Sequence, residues 1–217
     1  MKQINVRYFE NYTAGGKAKI DVYNILNQNG IESLDCYCSE KNNKRTKMIN
    51  EVKKYLFLKK IKKENDTLFF QYPFSNISIV NKQLIKLEKR KKIIILIHDI
   101  ESLRFGNDNR FKEEKEIFSN AFVVIAHNSK MREYLINHMN VSYKKIMVLE
   151  LFDYLYSGKE IKIRKLGKKP YRICFAGNLS KKKAPFLYEL QNKEDLGVIF
   201  SLYGIGYDML ERQKVIY

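Results

Sequence analysis

The sequence predicts an α/β protein with one complete doubly wound parallel-sheet domain, followed by the first half of a second. Segments typical of strands and of helices alternate along the chain almost without interruption, which indicates a parallel sheet with helices on both faces. The segments KIIILIHDI (92–100) and AFVVIAH (121–127) are also apolar without alternation. Strands of that kind are buried on both faces, in the middle of a parallel sheet.

Six predicted strands make up the first domain, residues 1–152. Each is a short apolar or β-branched run that ends at a turn signal. They are INVRYF (4–9), SLDCYC (33–38), DTLFFQYPF (66–74), KIIILIHDI, AFVVIAH and KIMVLEL (145–151). Six strands complete a doubly wound domain.

Helices are predicted where apolar residues recur every three or four positions. The first covers residues 15–30, where Gly30 is the stop signal. A basic helix follows at 47–59, and further helices are predicted at 79–89, at IESLRF (100–105) and at 129–138. The apolar positions that define the first two are Ala18, Val22, Ile25 and Leu26, then Ile49, Val52, Leu56 and Leu58.

Residues 153–170 are polar and basic, and they interrupt the alternation as a linker between domains does. Strand, turn and helix then resume at YRICFAGNLSKKKAPFLYEL (171–190), followed by the strand GVIFSLYG (197–204) and a last piece, ERQKVIY. A doubly wound domain needs five or six strands. We therefore expect 171–217 to be a truncated domain whose sheet exposes an edge and an apolar face.

The formal charge of +17 over 217 residues favours partners rich in phosphate. Lysine runs such as KKYLFLKKIKK are equally typical of solvated helix faces, and the sequence contains no zinc-finger or RNP-type pattern, so nucleic acid is not an expected partner. An apolar run long enough to cross a bilayer and a signal-peptide pattern are both absent. The sequence predicts a cytoplasmic protein with at most peripheral contact at the inner face of the membrane.

Three cysteines, Cys36, Cys38 and Cys174, form an odd set without C-x-x-C spacing. Neither a disulfide framework nor a structural zinc site is expected from them. Cys36 and Cys38 lie two positions apart in a predicted strand, which places both on one face and indicates packing.

Ligands of open parallel sheets bind at the carboxyl ends of the strands. After the first strand, Thr13, Gly15, Gly16 and Lys17 lead into a helix N-terminus, where small residues let an anion approach backbone N–H groups. A plain tight turn explains the same residues. The dinucleotide fingerprint G-x-G-x-x-G does not occur there.

His98 and Asp99 end the central strand. A histidine beside a carboxylate is suited to act as a general base on an acceptor hydroxyl. Alternatively, Asp99 caps the short helix that follows and His98 fills a polar corner of the core. Arg104 would hold an anion, which makes it a candidate for acceptor binding, or form a surface ion pair.

His127 and Asn128 follow the next strand and are candidates for acceptor binding. A helix begins directly after them. An N-cap role for Asn128 or Ser129 explains most of this pattern without a function.

The turn GNLSKKKAPF of the second domain offers polar and basic side chains to a diphosphate leaving group, although a solvated turn explains the lysines as well. These residues are Asn178, Ser180, Lys181, Lys182 and Lys183. After the next strand, Gly204 and Gly206 allow close approach of a ligand, and Tyr203 or Tyr207 could stack on a base or sugar.

Several segments together resemble one family. AGGKAKIDVYNIL, FFQYPF, IHDIESLRF, VVIAHNSKMREYL, FAGNLSKKKAPFLYEL and LYGIGYD occur in the family's order along essentially the whole chain. The chain resembles bacterial GT-B glycosyltransferases, among them the streptococcal glucosyltransferases that extend sugar on serine-rich adhesins and the β-1,6-galactofuranosyltransferases of surface polysaccharide synthesis.

The resemblance implies two Rossmann-like domains, the first holding the acceptor and the second a UDP-sugar, without a metal or other cofactor. It implies that residues 13–17 face donor phosphate or acceptor and that Asn178, Ser180 and the lysines meet the diphosphate. The broader retaining pattern has a basic pair after the strand, at positions occupied here by Asn178 and Lys183. The lysine fits that pattern and the asparagine departs from it.

The implied function is transfer of glucose or galactofuranose from a UDP-sugar to a glycan, glycoprotein or lipid-linked acceptor, by an enzyme that could be a homo-oligomer. In an inverting enzyme His98 or Asp99 would be the base; in a retaining one Asn178, Lys183 and the donor phosphate would suffice. Family members continue past residue 217. The alternative is therefore a non-catalytic, truncated subunit that binds a partner.

Overall fold

The structure is a computed structural model, and it divides the chain into two units, Met1–Ser157 and Gly158–Tyr217. The residues described are 1–8, 14–39, 43–63, 66–75, 77–150, 155, 158, 170–191 and 197–206. Most of the predicted linker, 153–170, lies outside them.

The first unit contains a six-stranded, all-parallel sheet in the order β2-β1-β3-β4-β5-β6. Its strands are β1 (Lys2–Tyr8), β2 (Glu32–Cys38), β3 (Leu68–Tyr72), β4 (Ile93–Ile97), β5 (Val123–Ala126) and β6 (Ile146–Val148). All six correspond to predicted strands. The α/β fold class with a doubly wound parallel sheet is confirmed.

Six helices are described in this unit: α1 (Ala14–Gln28), α2 (Lys44–Ile61), α3 (Ser78–Glu88), α4 (Glu101–Phe105), α5 (Asp108–Asn120) and α6 (Ser129–Asn137). The apolar spacing did not predict α5. This helix turns the Glu114 carboxylate into the core beside Ile117 and Phe118, so its buried face is not a continuous apolar stripe.

Two apolar cores lie on opposite faces of the sheet, because successive side chains of a strand point to opposite sides. On β3, Phe70 and Tyr72 join the larger core with side chains of α2, α3, α5 and α6. Phe69 points the other way, to a smaller core with Val22 of α1. Helices therefore cover both faces, as a doubly wound sheet requires.

The rotation of α2 differs from the predicted one. Ile49, Val52 and Leu56 were expected to define its apolar face, but all three are more than 40% exposed. The buried positions of the helix are Asn50, Lys54, Leu58 and Ile61. Apolar residues occur on both sides of α2, and hydrogen-bonded polar side chains decide which side faces inward.

Two polar contacts fix that rotation. Asn50 accepts a hydrogen bond from the backbone N–H of Ser39 at 2.9 Å and donates to the Ser39 carbonyl at 2.7 Å. Lys54 pairs with Glu51 at 2.7 Å, and Glu51 also accepts from the hydroxyl of Ser75. The buried polar groups of α2 are thus paired, as burial demands.

Cys36 and Cys38 are free thiols, both buried on the same face of β2. The packing role predicted from their spacing is confirmed. Among the described residues, none of the helices combines the length and apolar character of a membrane span.

The second unit contains β7 (Tyr171–Asn178) and β8 (Val198–Ile205), which pair in parallel, and α7 (Pro185–Gln191) between them. Leu179, Ala184 and Leu187 form its small core. Most of β7 is exposed, including Tyr171 and Ile173. The last piece of the sequence, ERQKVIY, lies outside the described residues.

Candidate functional site

The sheet of the first unit has a topological switch point between β1 and β3. The chain leaves β1 toward β2 on one side of it, and it continues through β3, β4, β5 and β6 on the other side. Loops diverge where the direction reverses and leave a crevice at the carboxyl ends of those strands, where open α/β sheets bind ligands. The candidate site is at this edge.

Gln71 connects three elements at the switch point. Its side-chain Nε2 donates a hydrogen bond to the carbonyl of Lys19 on α1 at 3.1 Å. Its Oε1 lies 2.8 Å from Nε2 of His98, the first residue after β4. On the same edge, the ammonium of Lys19 donates to the carbonyl of Pro73 at 2.6 Å. Side chains of α1, β3 and β4 therefore hold one another in place.

The hydrogen bonds of Gln71 also fix the tautomer of His98. The amide nitrogen of Gln71 faces a carbonyl oxygen, so its amide oxygen must be the atom that faces the imidazole. An amide oxygen only accepts, which requires a proton on Nε2 of His98. In the neutral imidazole the lone pair is then on Nδ1.

The pKa of His98 is lowered from 6.5 to about 3, first by burial and then by the Lys19 ammonium and by His127. The imidazole is therefore neutral at physiological pH. The ring of His127, which follows β5, lies 5.9 Å from that of His98 between centroids, and burial lowers its pKa as well. Two neutral imidazoles thus line the edge.

The pKa of Lys19 is lowered to about 8. Burial is the largest cause, the Lys54 ammonium adds to it, and the Glu101 carboxylate partly offsets both. The Pro73 carbonyl that accepts from Lys19 brings no negative charge. A half-buried cation in such a place is typical of a functional site, and an anion is the ligand that would stabilise it.

Glu114 of α5 is fully buried beneath the carboxyl edge of the sheet. Its carboxylate accepts hydrogen bonds from the Tyr72 hydroxyl at 3.0 Å, from the backbone N–H of Glu101 at 2.8 Å and from that of Ser102 at 3.1 Å. These bonds tie the end of β3 to the first turn of α4, directly after His98 and Asp99.

Asp99 does not cap α4 and does not set the pKa of His98. The N-cap position of α4 is Ile100, without a side-chain hydrogen bond. Asp99 instead pairs with Arg104 at 2.8 Å, and both side chains are largely exposed. Of the alternatives that the sequence left open, the Asp99 cap is wrong, because the buried Glu114 accepts from the first turn of α4 instead. The surface ion pair of Arg104 is confirmed.

Lys17 is held by an acidic partner within the first unit. Its ammonium lies 2.5 Å from the buried Asp21 carboxylate and donates to the Leu155 carbonyl at 3.0 Å. Leu155 in turn donates its backbone N–H to Asp21 at 3.0 Å. Gly15 and Gly16 lie in the first turn of α1, and Thr13 lies outside the described residues.

Asn128 is the N-cap of α6 and accepts a hydrogen bond from the backbone N–H of Met131 at 2.8 Å. The capping role that the sequence offered as an explanation is therefore correct. Acceptor binding by Asn128, which is exposed beside His127, stays a prediction.

In the second unit the predicted polar residues follow β7 in a compact turn. The Asn178 side chain accepts from the backbone N–H of Ser180 at 3.0 Å. The Ser180 carbonyl accepts from the backbone N–H groups of Lys183 and Ala184, both at 2.9 Å. The side chains of the three lysines, Lys181, Lys182 and Lys183, are exposed. The turn therefore presents positive charge at its surface.

Glycines let β8 approach this turn. A Cβ atom at Gly204 would lie 1.7 Å from the carbonyl oxygen of Gly177, and one at Gly206 would lie 3.1 Å from Oδ1 of Asn178. Gly206 also has a φ of +84°, which favours glycine. Tyr203 is 55% exposed, while Tyr207 lies outside the described residues.

The structure brings His98 and His127 together at one edge, with Asp99 and Arg104 beside them, and it brings Asn178, Ser180 and the lysines together in the second unit. Sequence reasoning missed Lys19 and Gln71. One signal was available for Gln71, which is the polar residue in the otherwise apolar segment LFFQY of β3. Among the described residues, no group of three or more histidines, cysteines or carboxylates is placed to hold a metal.

Comparison with known proteins agrees with the resemblance found in the sequence. Residues 1–151 match the family model described as glucosyltransferase 3-like, N-terminal domain. The β-1,6-galactofuranosyltransferase WbbI of Escherichia coli (strain K12) is 31% identical over 174 residues, which cover 78% of this chain and 47% of that protein. The chain thus spans about half the length of the curated relative it matches.

A similar solved structure is that of Anabaena HepE in complex with UDP and glucose. It has a TM-score of 0.52 and 12% identity, and the match covers 93% of this chain and 60% of that one. The likeness supports the GT-B type of fold.

Proposed function

Because the chain belongs to the glucosyltransferase 3-like family, we propose that it acts in a glycosyltransferase that transfers a hexose, glucose or galactofuranose, from a UDP-sugar to a glycan acceptor. The names of the curated relative and of the solved structure with UDP and glucose support both the donor and the reaction class. The acceptor would be a glycan of a surface polysaccharide or glycoprotein, assembled in the cytoplasm on a protein or lipid carrier.

The observation that carries the proposal is the group formed by His98, Gln71 and Lys19 at the switch point. A neutral imidazole of fixed tautomer presents its lone pair on Nδ1, which suits it to accept the proton of an acceptor hydroxyl. The lowered pKa makes His98 a weak base in the free protein. An anion bound near Lys19 and His98 would raise the pKa of both groups, so that ligand binding itself would strengthen the base.

In the inverting route, the acceptor oxygen forms a bond to the anomeric carbon and the bond from that carbon to the diphosphate oxygen breaks. The acceptor proton passes to His98, and UDP leaves with the bonding electrons. The retaining route would need no protein base. The groups that act in it would be Asn178, Lys183 and the donor phosphate. Proton NMR of the new glycosidic linkage distinguishes the two, because the anomeric coupling constant reports its configuration.

The donor side of the proposal rests on the turn after β7. Lys181, Lys182 and Lys183 would neutralise the diphosphate as it leaves, the role that a divalent cation has in other transferases. Tyr203 would stack on the base or sugar, and Gly204 lets β8 lie directly against β7. We expect turnover to persist in EDTA.

The alternative is a non-catalytic, glycosyltransferase-like subunit that binds a partner. Isothermal titration with UDP and with UDP-hexoses separates the two proposals. We expect the chain to bind UDP, and the triple change Lys181→Ala, Lys182→Ala, Lys183→Ala to weaken binding at least tenfold.

The matched control changes two exposed lysines of α5, Lys112→Ala and Lys115→Ala, and should leave UDP binding within twofold. Absence of UDP and UDP-sugar binding by the purified chain would end the enzyme proposal for this polypeptide. It would favour the partner-binding alternative instead.

A further inference from the structure

The outward face of α2 carries an apolar stripe, which we define as Met48, Ile49, Val52 and Leu56. Their exposed fractions are 67%, 43%, 52% and 56%. Met48, Val52 and Leu56 are four residues apart, so they lie one above the other along the helix, with Ile49 beside them. A soluble helix usually places polar side chains there.

The stripe faces outward because the opposite face of α2 is fixed. Leu58 and Ile61 are buried in the main core, and Asn50 makes two hydrogen bonds with the backbone of Ser39. Turning the helix to bury the stripe would expose both apolar side chains and break both hydrogen bonds. The apolar stripe is therefore a stable feature of the folded first unit.

Basic side chains surround the stripe. The acidic residue within α2, Glu51, is paired with the buried Lys54 and does not offset the surface charge. The exposed basic residues of α2 and of the turn after it are Lys44, Arg45, Lys47, Lys53, Lys59, Lys60, Lys62 and Lys63.

We propose that this face of α2 docks on an anionic lipid surface. A helix that combines a narrow apolar stripe with many lysines lies in the membrane interface, its apolar side chains among the acyl chains and its ammonium groups at the lipid phosphates. The positive charge disfavours a second copy of the chain on the same face, because the two basic surfaces would repel. The proposal is independent of sugar transfer.

The test is co-sedimentation of the full chain with vesicles. We expect binding to phosphatidylcholine vesicles that contain phosphatidylglycerol and little binding to phosphatidylcholine alone. The double change Val52→Asp, Leu56→Asp should reduce the bound fraction at least fivefold. Both positions are exposed, so circular dichroism and the unfolding midpoint should match the parent chain. The matched control is Ile20→Asp, at a position 43% exposed on α1, which should bind normally.

The charge requirement is tested separately. The double change Lys53→Glu, Lys60→Glu on α2 should abolish vesicle binding at physiological salt. The control is Lys112→Glu, Lys115→Glu on α5, which changes the net charge by the same amount. It should reduce vesicle binding less than twofold. Equal loss in the two pairs would mean that net charge alone drives binding, and it would overturn the proposal.

Two other results would also overturn it. One is normal vesicle binding by the Val52→Asp, Leu56→Asp chain. The other is that the parent chain does not bind anionic vesicles and forms a dimer in light scattering, whereas the Val52→Asp, Leu56→Asp chain is a monomer. The stripe would then be an interface between copies of the chain.

Discussion

The two units present their candidate residues in opposite ways. In the first, Lys19, Gln71 and His98 are partly buried and bonded to one another across α1, β3 and β4, and burial lowers the pKa of His98 and of Lys19. In the second, the lysines at 181–183 extend from a short turn into solvent. The side chains of the first edge are thus held by hydrogen bonds to one another, whereas the lysine side chains of the second unit extend into solvent.

This contrast suits the residues of the first unit to proton transfer and the lysines of the second unit to ligand binding. Tuning a proton acceptor requires burial and fixed hydrogen bonds, which the first edge has. Attracting a nucleoside diphosphate requires positive charge, which the exposed lysines of the turn after β7 supply. Changes in the first unit should therefore alter pKa values and chemistry, whereas changes in the second should alter binding.

The largest effect on stability is expected from Glu114→Ala in the first unit. It leaves the Tyr72 hydroxyl and the N–H groups of Glu101 and Ser102 without their buried acceptor, which should lower the free energy of unfolding by about 3 kcal/mol. Urea denaturation measures it. Glu116→Ala, at an exposed ion pair with Lys89, is the control and should cost less than about 0.5 kcal/mol. Equal costs would show that the buried carboxylate does not hold this edge.

Gly204→Ala tests the second unit. Its Cβ would overlap the Gly177 carbonyl oxygen, so β7 and β8 must separate, at a cost on the order of 2 to 3 kcal/mol. Gly30→Ala, where the Cβ meets open space and only the φ of +76° is strained, should cost about 1 kcal/mol. Hydrogen exchange should show loss of protection in β7 and β8 for Gly204→Ala alone. Unchanged exchange there would contradict the close strand approach.

Acid should destabilise the first unit through His98. Its pKa is about 3 in the folded protein and near 6.5 in the unfolded chain, so between these values only the unfolded chain binds the proton. This contribution to stability is complete above pH 6.5 and falls as the pH drops toward 3, by about 2 kcal/mol at pH 5. His98→Gln should remove that part of the pH dependence, and His138→Gln, at an exposed position, should not. Identical pH profiles for the two variants would refute the lowered pKa.

The smallest effect concerns Gln71. Gln71→Glu places a carboxylate next to Nε2 of His98 and should raise the pKa of His98 by about one unit, measured from the imidazole proton signals by NMR. Gln71→Leu removes the hydrogen bond without adding charge and serves as the control. An unchanged titration in Gln71→Glu would mean that the two side chains do not meet in solution.

The strands were predictable because a strand buried on both faces has a continuous apolar sequence, which can be recognised locally. The run IIILI of β4 can hardly belong anywhere but the middle of a parallel sheet. Helix α5 has no such local pattern, because its buried face includes Glu114. That carboxylate accepts a hydrogen bond from Tyr72, a residue 42 positions away. The rotation of α2 was equally hidden, since apolar residues occur on both of its faces.

The candidate site was predictable only in part, for the same reason. His98 and His127 were found because they follow strands, and chain position alone places them at the carboxyl edge. Lys19 and Gln71 are joined by a hydrogen bond across 52 positions, which a local pattern cannot reveal. The cap that the sequence offered as one of two explanations for Asp99 is absent, because the interior Glu114 accepts from the first turn of α4 instead.

We propose that His98, held by Gln71 at the switch point, accepts the acceptor's proton during hexose transfer. The most direct test of this proposal is turnover of a UDP-hexose with a glycan acceptor by the His98→Ala chain, compared with His138→Ala, a histidine exposed at the end of α6. Loss of a general base should lower turnover by a factor on the order of 100 or more, and His138→Ala should stay within twofold of the parent chain. Near-normal turnover by His98→Ala would contradict a role of His98 as the proton acceptor.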